Sequence, residues 1–344
     1  MHGLHCILAP YVVEHMAKSS DAAVRRMALD VVESGAAARA VRSLYATMPA
    51  MAAIPSPART RHRLIYDARN KGYGLPGKMV RSEGDPKHDD PAVNEAYRHA
   101  GAVYGFYRRV FGRNSLDDQG MSLIASVHYR RRHNNAYWNG EQLLFGDGDG
   151  KAFVRFTKAL DIVAHEFSHG VVTHTACLDY EGESGAVCEH VADVMGVLTR
   201  QWRRREDART GDWSVGRDCL GPAVKADGLR TFLDRPAYEN DALLGTDRQP
   251  KHIDDRYTGQ EDNGGVHINS GIPNHAFFRV AHELRGSAWE RAGRIWYDAL
   301  LLLGRRSGFV DLVEKTECAA ALRYGRGSVE VRAVRKAWKK VGLA

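Results

Sequence analysis

The residues best placed to do chemistry are His165-Glu166-Phe167-Ser168-His169, an HExxH pattern with two histidines four positions apart and a glutamate beside the first. On a helix, positions i and i+4 stand one above the other on the same face. Two imidazoles can then reach one metal ion, while Glu166, one step round, faces a water beside it. The flanks favour a helix: Ile162, Val163, Phe167 and Val171 recur near the helical period, and no Gly or Pro intervenes before Gly170. A buried helix with incidental polar residues is the plainer alternative, so the rest of the chain has to decide.

A hydrolytic zinc site uses three protein ligands and keeps one position open. The class that takes a third histidine from HExxHxxGxxH is excluded, because Val172 and Thr175 occupy the glycine and histidine positions. His174 is out of register and reads as a surface or packing residue. Glu189 lies 20 residues beyond His169, across the Gly-rich turn Tyr180–Gly185, far enough for a following helix to fold back. Asp193, one helical turn later, can accept the second N–H of a ligating histidine and fix its tautomer. The competing reading makes both acids one exposed helix face.

Composition agrees with a soluble globular protein: 44% apolar and 26% charged residues in 344, enough for two domains of about 150 residues or one with a pro-segment. The net charge is +7, with basic runs at Arg130–Arg132 and Arg203–Arg205. No aromatic platform or nucleic-acid motif accompanies them, so they read as solvated surface. Five scattered cysteines without a CxxC pair argue against a disulfide framework or a cysteine zinc knuckle. Cys188, beside Glu189, is better read as a small buried hydrophobe than as a nucleophile. No run approaches the ~20 apolar residues of a membrane span. The N-terminus makes no convincing signal peptide, since Pro10 and Glu14 interrupt its apolar run and no Lys or Arg precedes it.

The elements that must position the site follow from periodicity. Residues up to about 45 read as a separate unit with one or two amphipathic helices after Pro10. Residues 48–61, with three prolines and basic positions open to proteolysis, read as a linker. Short strands are predicted at 64–66, 78–81, 122–129 and 142–145, and a helix over 91–111 with Asp89 or Asp90 near its cap. Asn135–Gly140 reads as a turn into the last strand, and Gly146–Gly150 as a tight Gly/Asp turn rather than a calcium loop, since the far glutamate is missing. After residue 158 the chain turns helical, with helices expected through 187–198, 271–284, 288–304, 309–323 and 328–341. The fold class is α+β.

His165-Glu166-xx-His169 with Glu189-xxx-Asp193, Asn134-Asn135-Ala136-Tyr137-Trp138-Asn139-Gly140 upstream, and Arg256-Tyr257-Thr258-Gly259 with Asp262-Asn263-Gly264-Gly265-Val266-His267-Ile268-Asn269-Ser270-Gly271 downstream resemble the thermolysin family of zinc metalloendopeptidases. Cys6-Ile7-Leu8-Ala9-Pro10-Tyr11 and the short N-terminal unit resemble its protealysin-like subgroup, with Ala9 in place of the first proline of a Pro-Pro-Tyr motif. The resemblance implies a two-domain protease: a propeptide and linker over 1–50, a strand-rich domain over 51–178 ending in the HExxH helix, and a helical domain over 179–344, with the cleft between them. It implies zinc on His165, His169 and Glu189, supported by Asp193. Glu166 is then the general base, His267 an oxyanion or proton donor oriented by Asp262, and Tyr180 a second donor. Asn135, Ala136 and Arg230 would clamp the substrate main chain. Phe153, Phe156, Ile162 and Leu229 would line the S1′ pocket, giving cleavage on the amino side of apolar residues. The implied partners are protein or peptide substrates and the chain's own propeptide as intramolecular inhibitor, with no nucleic acid and no membrane, in a monomer. Secretion is implied by the family; the cytoplasm is the alternative. A catalytically inactive binding protein is the competing function, and intact Glu166 and His267 argue against it.

One departure stands out. The family's paired calcium site needs acids at 161, 200, 212 and 217, and here Asp161 and Asp212 face Arg200 and Arg217. Guanidinium groups cannot ligate calcium. The expectation is that the arginines neutralise the two aspartates directly, against the simpler alternative that both point to solvent.

Overall fold

The computed structural model describes residues 5–32 and 60–344. The linker expected over 48–61 lies outside them, apart from its last two residues. The N-terminal half is built on one six-stranded sheet, and the C-terminal half is mainly helical. In the sheet, β1 (His5–Cys6), β2 (Arg63–Asp67), β3 (Lys78–Ser82), β4 (Leu123–Val127), β5 (Ala136–Trp138) and β6 (Leu143–Phe145) take the order β1-β5-β6-β4-β2-β3. β2, β4 and β6 run parallel, whereas β1–β5, β5–β6 and β2–β3 are antiparallel. The first strand, far upstream in sequence, thus covers the edge of β5.

Helix α1 (Pro10–Ala17) begins with proline at its first turn, where a missing N–H costs nothing. A second helix, α2, is described over residues 22–32, and Asp21 caps it by accepting from Ala23 and Val24 N–H at 2.8 and 3.3 Å. Val12, Val13 and Met16, with Val24, Ala28 and Val31, are buried, so two amphipathic helices are present where the sequence predicts one or two. Helix α3 (Pro91–Phe106) is capped by Asp90, whose carboxylate accepts from Ala92 N–H at 2.7 Å, and ends in a wider turn over Tyr107–Phe111.

Helix α4 (Leu160–Thr173) is buried on every side from Leu160 to Val172, and the longer α5 (Gly182–Arg204) crosses it. The crossing is close because of Gly196: a Cβ there would lie 2.7 Å from the Asp161 carbonyl oxygen and 3.6 Å from His165 Cβ. A side chain at 196 would push apart the two helices that carry the HExxH residues and Glu189. A two-stranded ribbon, β7 (Ser214–Val215) with β8 (Arg230–Thr231), follows. Then come α6 (Glu261–Asn269), α7 (Gly271–Leu284), α8 (Ala292–Leu300), α9 (Phe309–Tyr324) and α10 (Val329–Lys340). Trp296 of α8 stacks on Trp338 of α10 with ring centroids 6.0 Å apart.

Two expectations need correction. Residues 136–138 are strand β5 rather than part of a turn, because β1 and β6 pair on its two sides. The helix expected over 288–304 is confined to 292–300; α6, in a glycine-rich stretch, was not among the helices expected.

The sheet is tied to α3 by His128, which follows β4. Its Nε2 donates to Asp90 (2.6 Å) and its Nδ1 to Asp147 (2.7 Å). The Asp147 hydrogen bond, opposed by partial burial and helped by Asp90, raises its pKa from 6.5 to about 9. A pKa raised by folding means stabilisation that is complete below the unfolded value near 6.5 and lost as pH rises through about 9. The melting temperature is expected to fall between pH 7 and 9.5, and the fall should flatten in His128→Gln; equal slopes in the two proteins would refute the clamp.

Candidate metal centre and active site

The helical spacing of the HExxH residues puts both imidazoles on the face of α4 that meets α5. His165 Nε2 and His169 Nε2 are 3.0 Å apart. Glu189, on α5, brings Oε2 to 3.5 Å from His165 Nε2 and Oε1 to 3.4 Å from His169 Nε2. All three side chains are fully buried, and their ligand atoms lie within 4.8 Å of one another; no other such group exists among the described residues. Glu189 Oε2 has no hydrogen-bond donor. A contact between the two imidazoles would leave that buried oxygen unsatisfied, which is costly. The surrounding charge points the same way. Four buried carboxylates on α4 and α5 (Asp161, Glu166, Glu189, Asp193) face two buried guanidinium groups, Arg200 and Arg230. A dication with two imidazole nitrogens and one carboxylate fits both the ligand atoms and the formal charge deficit, and zinc takes this donor set.

The outer contacts fix the tautomer. His165 Nδ1 lies 2.9 Å from Asp193 Oδ1, leaving Nε2 as the ligand atom. His169 Nδ1 is 3.5 Å from the Cys188 thiol, which burial keeps protonated by raising its pKa well above the ordinary value. Asp193 is also gripped by Arg230, with Nε to Oδ2 at 2.8 Å and Nη2 to Oδ1 at 2.7 Å. Despite full burial, which opposes it, Arg230 and His165 hold the Asp193 pKa well below the usual range.

Behind Asp193 runs a relay that sequence reasoning missed. Asn274 Nδ2 donates to Asp193 Oδ2 (2.9 Å), and Asn274 Oδ1 meets His190 Nδ1 (2.7 Å). Trp296 Nε1 donates to His190 Nε2 (2.7 Å). Indole is only a donor, so His190 Nε2 accepts and Nδ1 carries the proton. Burial supports this neutral form, lowering the His190 pKa to about 4. The position of His190 beside Glu189 was the one available signal.

Glu166 is buried, and neither carboxylate oxygen has an aligned donor. The Trp138 main-chain N–H favours its charged form, but burial first, then the Cys6 thiol and the Glu189 carboxylate, raise its pKa well above the ordinary value. Opposite stands His267, aimed by an unusual piece of backbone. Asp262, Asn263, Gly264 and Gly265 all have positive φ (57°, 52°, 81° and 80°), one left-handed turn inside α6. Such a turn is costly for residues with a Cβ, and Gly, Asn and Asp tolerate it best. It swings the Asp262 carboxylate back onto His267, accepting from its main-chain N–H (2.8 Å) and from Nδ1 (2.6 Å). Tyr180 donates to Glu189 Oε1 (2.5 Å), with its oxygen 3.3 Å from His267 Nε2. Burial opposes a charge on His267, but Asp262 and Glu189 prevail and raise its pKa.

Residues 6–8 lie across these groups. His267 Nε2 donates to the Cys6 carbonyl (2.8 Å), Ile7 N–H donates to Ala136 O (3.3 Å), Arg230 Nη1 donates to Ile7 O (2.8 Å), and Leu8 N–H donates to Asn135 Oδ1 (3.2 Å). Phe153, Phe156, Ile162 and Leu229 are buried in the same continuous apolar core as Ile7. His174 caps α4 on the surface, away from the ligand cluster.

The residues at the calcium-site positions pair with one another. Arg200 is buried and pairs with Asp161 Oδ2, while its Nη2 donates to the carbonyl oxygens of Asp212 and Ser214, both at 2.7 Å. Gly216 N–H donates to Asp161 Oδ2 (2.9 Å). Arg217 is half-exposed, with Nε 3.1 Å from Asp212 Oδ2. Neither arginine simply points to solvent.

Comparison with known proteins agrees with this geometry. Residues 57–173 match the thermolysin metallopeptidase catalytic domain and residues 176–343 its alpha-helical domain. Protease PrtS from Photorhabdus sp. (strain Az29) is 47% identical over 288 residues, 83% of this chain and 77% of that protein. An extracellular metalloprotease from Pectobacterium carotovorum subsp. carotovorum is 43% identical over 289 residues, 83% of this chain and 82% of its own length. The solved precursor of protealysin, a metalloproteinase from Serratia proteamaculans, superposes with a TM-score of 0.88 at 38% identity, covering 99% of this chain and 100% of that one.

If Asp193 orients His165 as the geometry indicates, Asp193→Asn should weaken zinc retention by about tenfold to a hundredfold. Competition with a chelating dye measures this directly. Wild-type retention in that variant would remove Asp193 from any role at the metal.

Proposed function

The chain belongs to the thermolysin family of zinc metallopeptidases and is a metalloendopeptidase, and we propose how its own residues carry that activity. The observation that carries the reading is the meeting of Glu189 with the two HExxH histidines, with Asp193 behind them. In this reading His165, His169 and Glu189 hold zinc, which when bound supplies Lewis acidity that activates water and polarises the scissile carbonyl. Glu166 takes the proton of the attacking water and delivers it to the leaving nitrogen. His267, held by Asp262, and Tyr180 stabilise the charge that develops on the carbonyl oxygen, where preorganised donors act most strongly. Asn135 and Ala136 pair with the substrate main chain as β5 pairs with β1, and Arg230 takes the next carbonyl. Phe153, Phe156, Ile162 and Leu229 give the S1′ side its preference for apolar residues. That the apolar Ile7 fills the place between Ala136 and Arg230 supports the preference.

The segment up to residue 50 is then propeptide and linker, residues 51–178 the strand-rich domain, and 179–344 the helical domain. The propeptide inhibits in cis by lying in the cleft. Ile7, Leu8, Val12, Val13 and Met16 are all nearly inaccessible to solvent, and each such burial is worth roughly 1.5–3 kcal/mol as an upper estimate. A relative named as an extracellular metalloprotease supports secretion of this one, acting on proteins or peptides as a monomer. No helix among the described residues is long and apolar enough to cross a membrane. Arg200 and Arg217 stand in for the paired calcium ions, with the Arg200 guanidinium taking two carbonyls and a carboxylate as a cation would.

Hydrolysis of an unstructured protein by the processed enzyme is the deciding assay. Glu166→Gln should lose at least about a hundredfold in kcat/KM, the usual worth of a general base, while keeping its zinc. Near-wild-type turnover in that variant would sink the assignment. With zinc saturating, the melting temperature should be the same in calcium and in a calcium-selective chelator. Arg200→Met, by contrast, should lose about 3–5 kcal/mol of stability, because it leaves Asp161 buried and unpaired. A calcium-dependent melting temperature in the wild type would show that the arginines replace nothing.

A further inference from the structure

Residues 6–8 do more than fill the cleft: they occupy it in the direction and register of a substrate. We propose that the peptide bond between Cys6 and Ile7 is a bond this enzyme hydrolyses in its own chain, in cis, as the first step of leaving latency. The inference rests on the roles proposed above for Glu166, His267 and Arg230.

Each contact assigned to a substrate is made by this segment, in sequence order. The carbonyl that precedes the bond, that of Cys6, accepts from His267 Nε2 at 2.8 Å, and the Tyr180 hydroxyl lies 3.3 Å from the same nitrogen. The amide that follows, that of Ile7, donates to Ala136 O at 3.3 Å. The Ile7 carbonyl takes Arg230 at 2.8 Å, and the Leu8 amide takes Asn135 Oδ1 at 3.2 Å. A strand lying the other way along β5 would break this alternation and present neither carbonyl to these donors. Glu166, buried and without an aligned partner, neighbours Cys6. So the oxyanion donors, the base and the clamps all bracket one peptide bond.

The step needs only water, which the enzyme's reaction already uses. Water adds its oxygen to the Cys6 carbonyl carbon and its proton passes to Glu166. The Cys6–Ile7 C–N bond then breaks, and the Ile7 nitrogen leaves with that proton as an amine, while Cys6 ends in a carboxylate. The two products are held very unequally. On the Ile7 side, α1 and its buried Val12, Val13 and Met16 stay docked, with Tyr11 Oη 3.5 Å from Asp247. On the Cys6 side the described chain is only the two-residue strand β1. With so little strand to hold it, the upstream piece departs and re-ligation stops. The cut therefore frees one half of the cleft before the rest of the propeptide is lost.

The test is the N-terminus of the zinc-loaded full chain, followed by intact mass and end-group analysis beside an added unstructured substrate. We expect a product beginning at Ile7 before any shorter one, formed at a rate unchanged over about a hundredfold dilution, as an intramolecular reaction requires. It should be absent from Glu166→Gln, in which hydrogen exchange should find the Ile7 and Leu8 amides protected. Ile7→Asp, which places a charge in a buried position, should abolish both the Ile7 end and that protection while the added substrate is still cut. An enzyme that cuts the added substrate but never yields an Ile7 end overturns the inference, as does an Ile7 end in Glu166→Gln or a dilution-dependent rate. A zinc-loaded protein that cuts nothing overturns the proposed function as well.

Discussion

Charge burial is the constraint on which the rest of this structure depends. Asp161, His165, Glu166, His169, Glu189 and Asp193 sit with no solvent exposure on two crossing helices, and Arg200 and Arg230 are buried beside them. A buried ion left alone costs several kcal/mol, so each must be answered by a partner; Arg200 of α5 answers Asp161 within the pair, and further partners come from outside the two helices. Arg230 arrives on β8, His267 on the left-handed turn of α6, and Asn274 on α7. The helical domain is in this sense assembled around the needs of one crossing. Gly196 sets how close that crossing can be, and so how nearly Glu189 and the two histidines can converge.

The same requirement explains why a metal belongs in one place and an arginine in another. At the ligand cluster a fixed cation would block the position where a substrate carbonyl must come, so the balancing charge has to be one that leaves coordination room. Around Asp161 nothing needs to enter. A guanidinium there satisfies the carboxylate and the Asp212 and Ser214 carbonyls with directed hydrogen bonds, and it cannot be lost by dilution. One solution answers Glu189 on α5 and the other Asp161 on the first turn of α4, yet only the first is open.

Much of this was legible in the sequence where spacing alone dictates geometry. His165, His169, Glu189 and Asp193 lie at helical intervals, and the helices that carry them have apolar faces that declare the period. What resisted was whatever depends on long-range partners. Residues 136–138 read as a turn because three strand residues between asparagines acquire their conformation only by pairing with β1 and β6. The Asn274–His190–Trp296 relay joins side chains 84 and 106 positions apart, with no pattern linking them. The left-handed turn at 262–265 advertises its glycines, but that Asp262 would fold back onto His267 came from the family resemblance and not from spacing.

On the proposed function, the edge of β5 is why latency and catalysis share residues. An unpaired strand edge offers a row of free N–H and C=O groups, which is what an extended peptide needs in order to be held. The same edge recognises any extended chain, the protein's own included. A covering strand tied to the same polypeptide competes at a high effective concentration, so it needs little intrinsic affinity to keep other peptides out. Most of its hold comes from α1 and α2 rather than from the two-residue strand itself. Separating the anchor from the plug in this way leaves the plug free to match a substrate closely, because its grip on the protein does not depend on how it meets His267 and Arg230. A segment that relied on the cleft alone for its binding would have to be a tight inhibitor. This one needs only to be present.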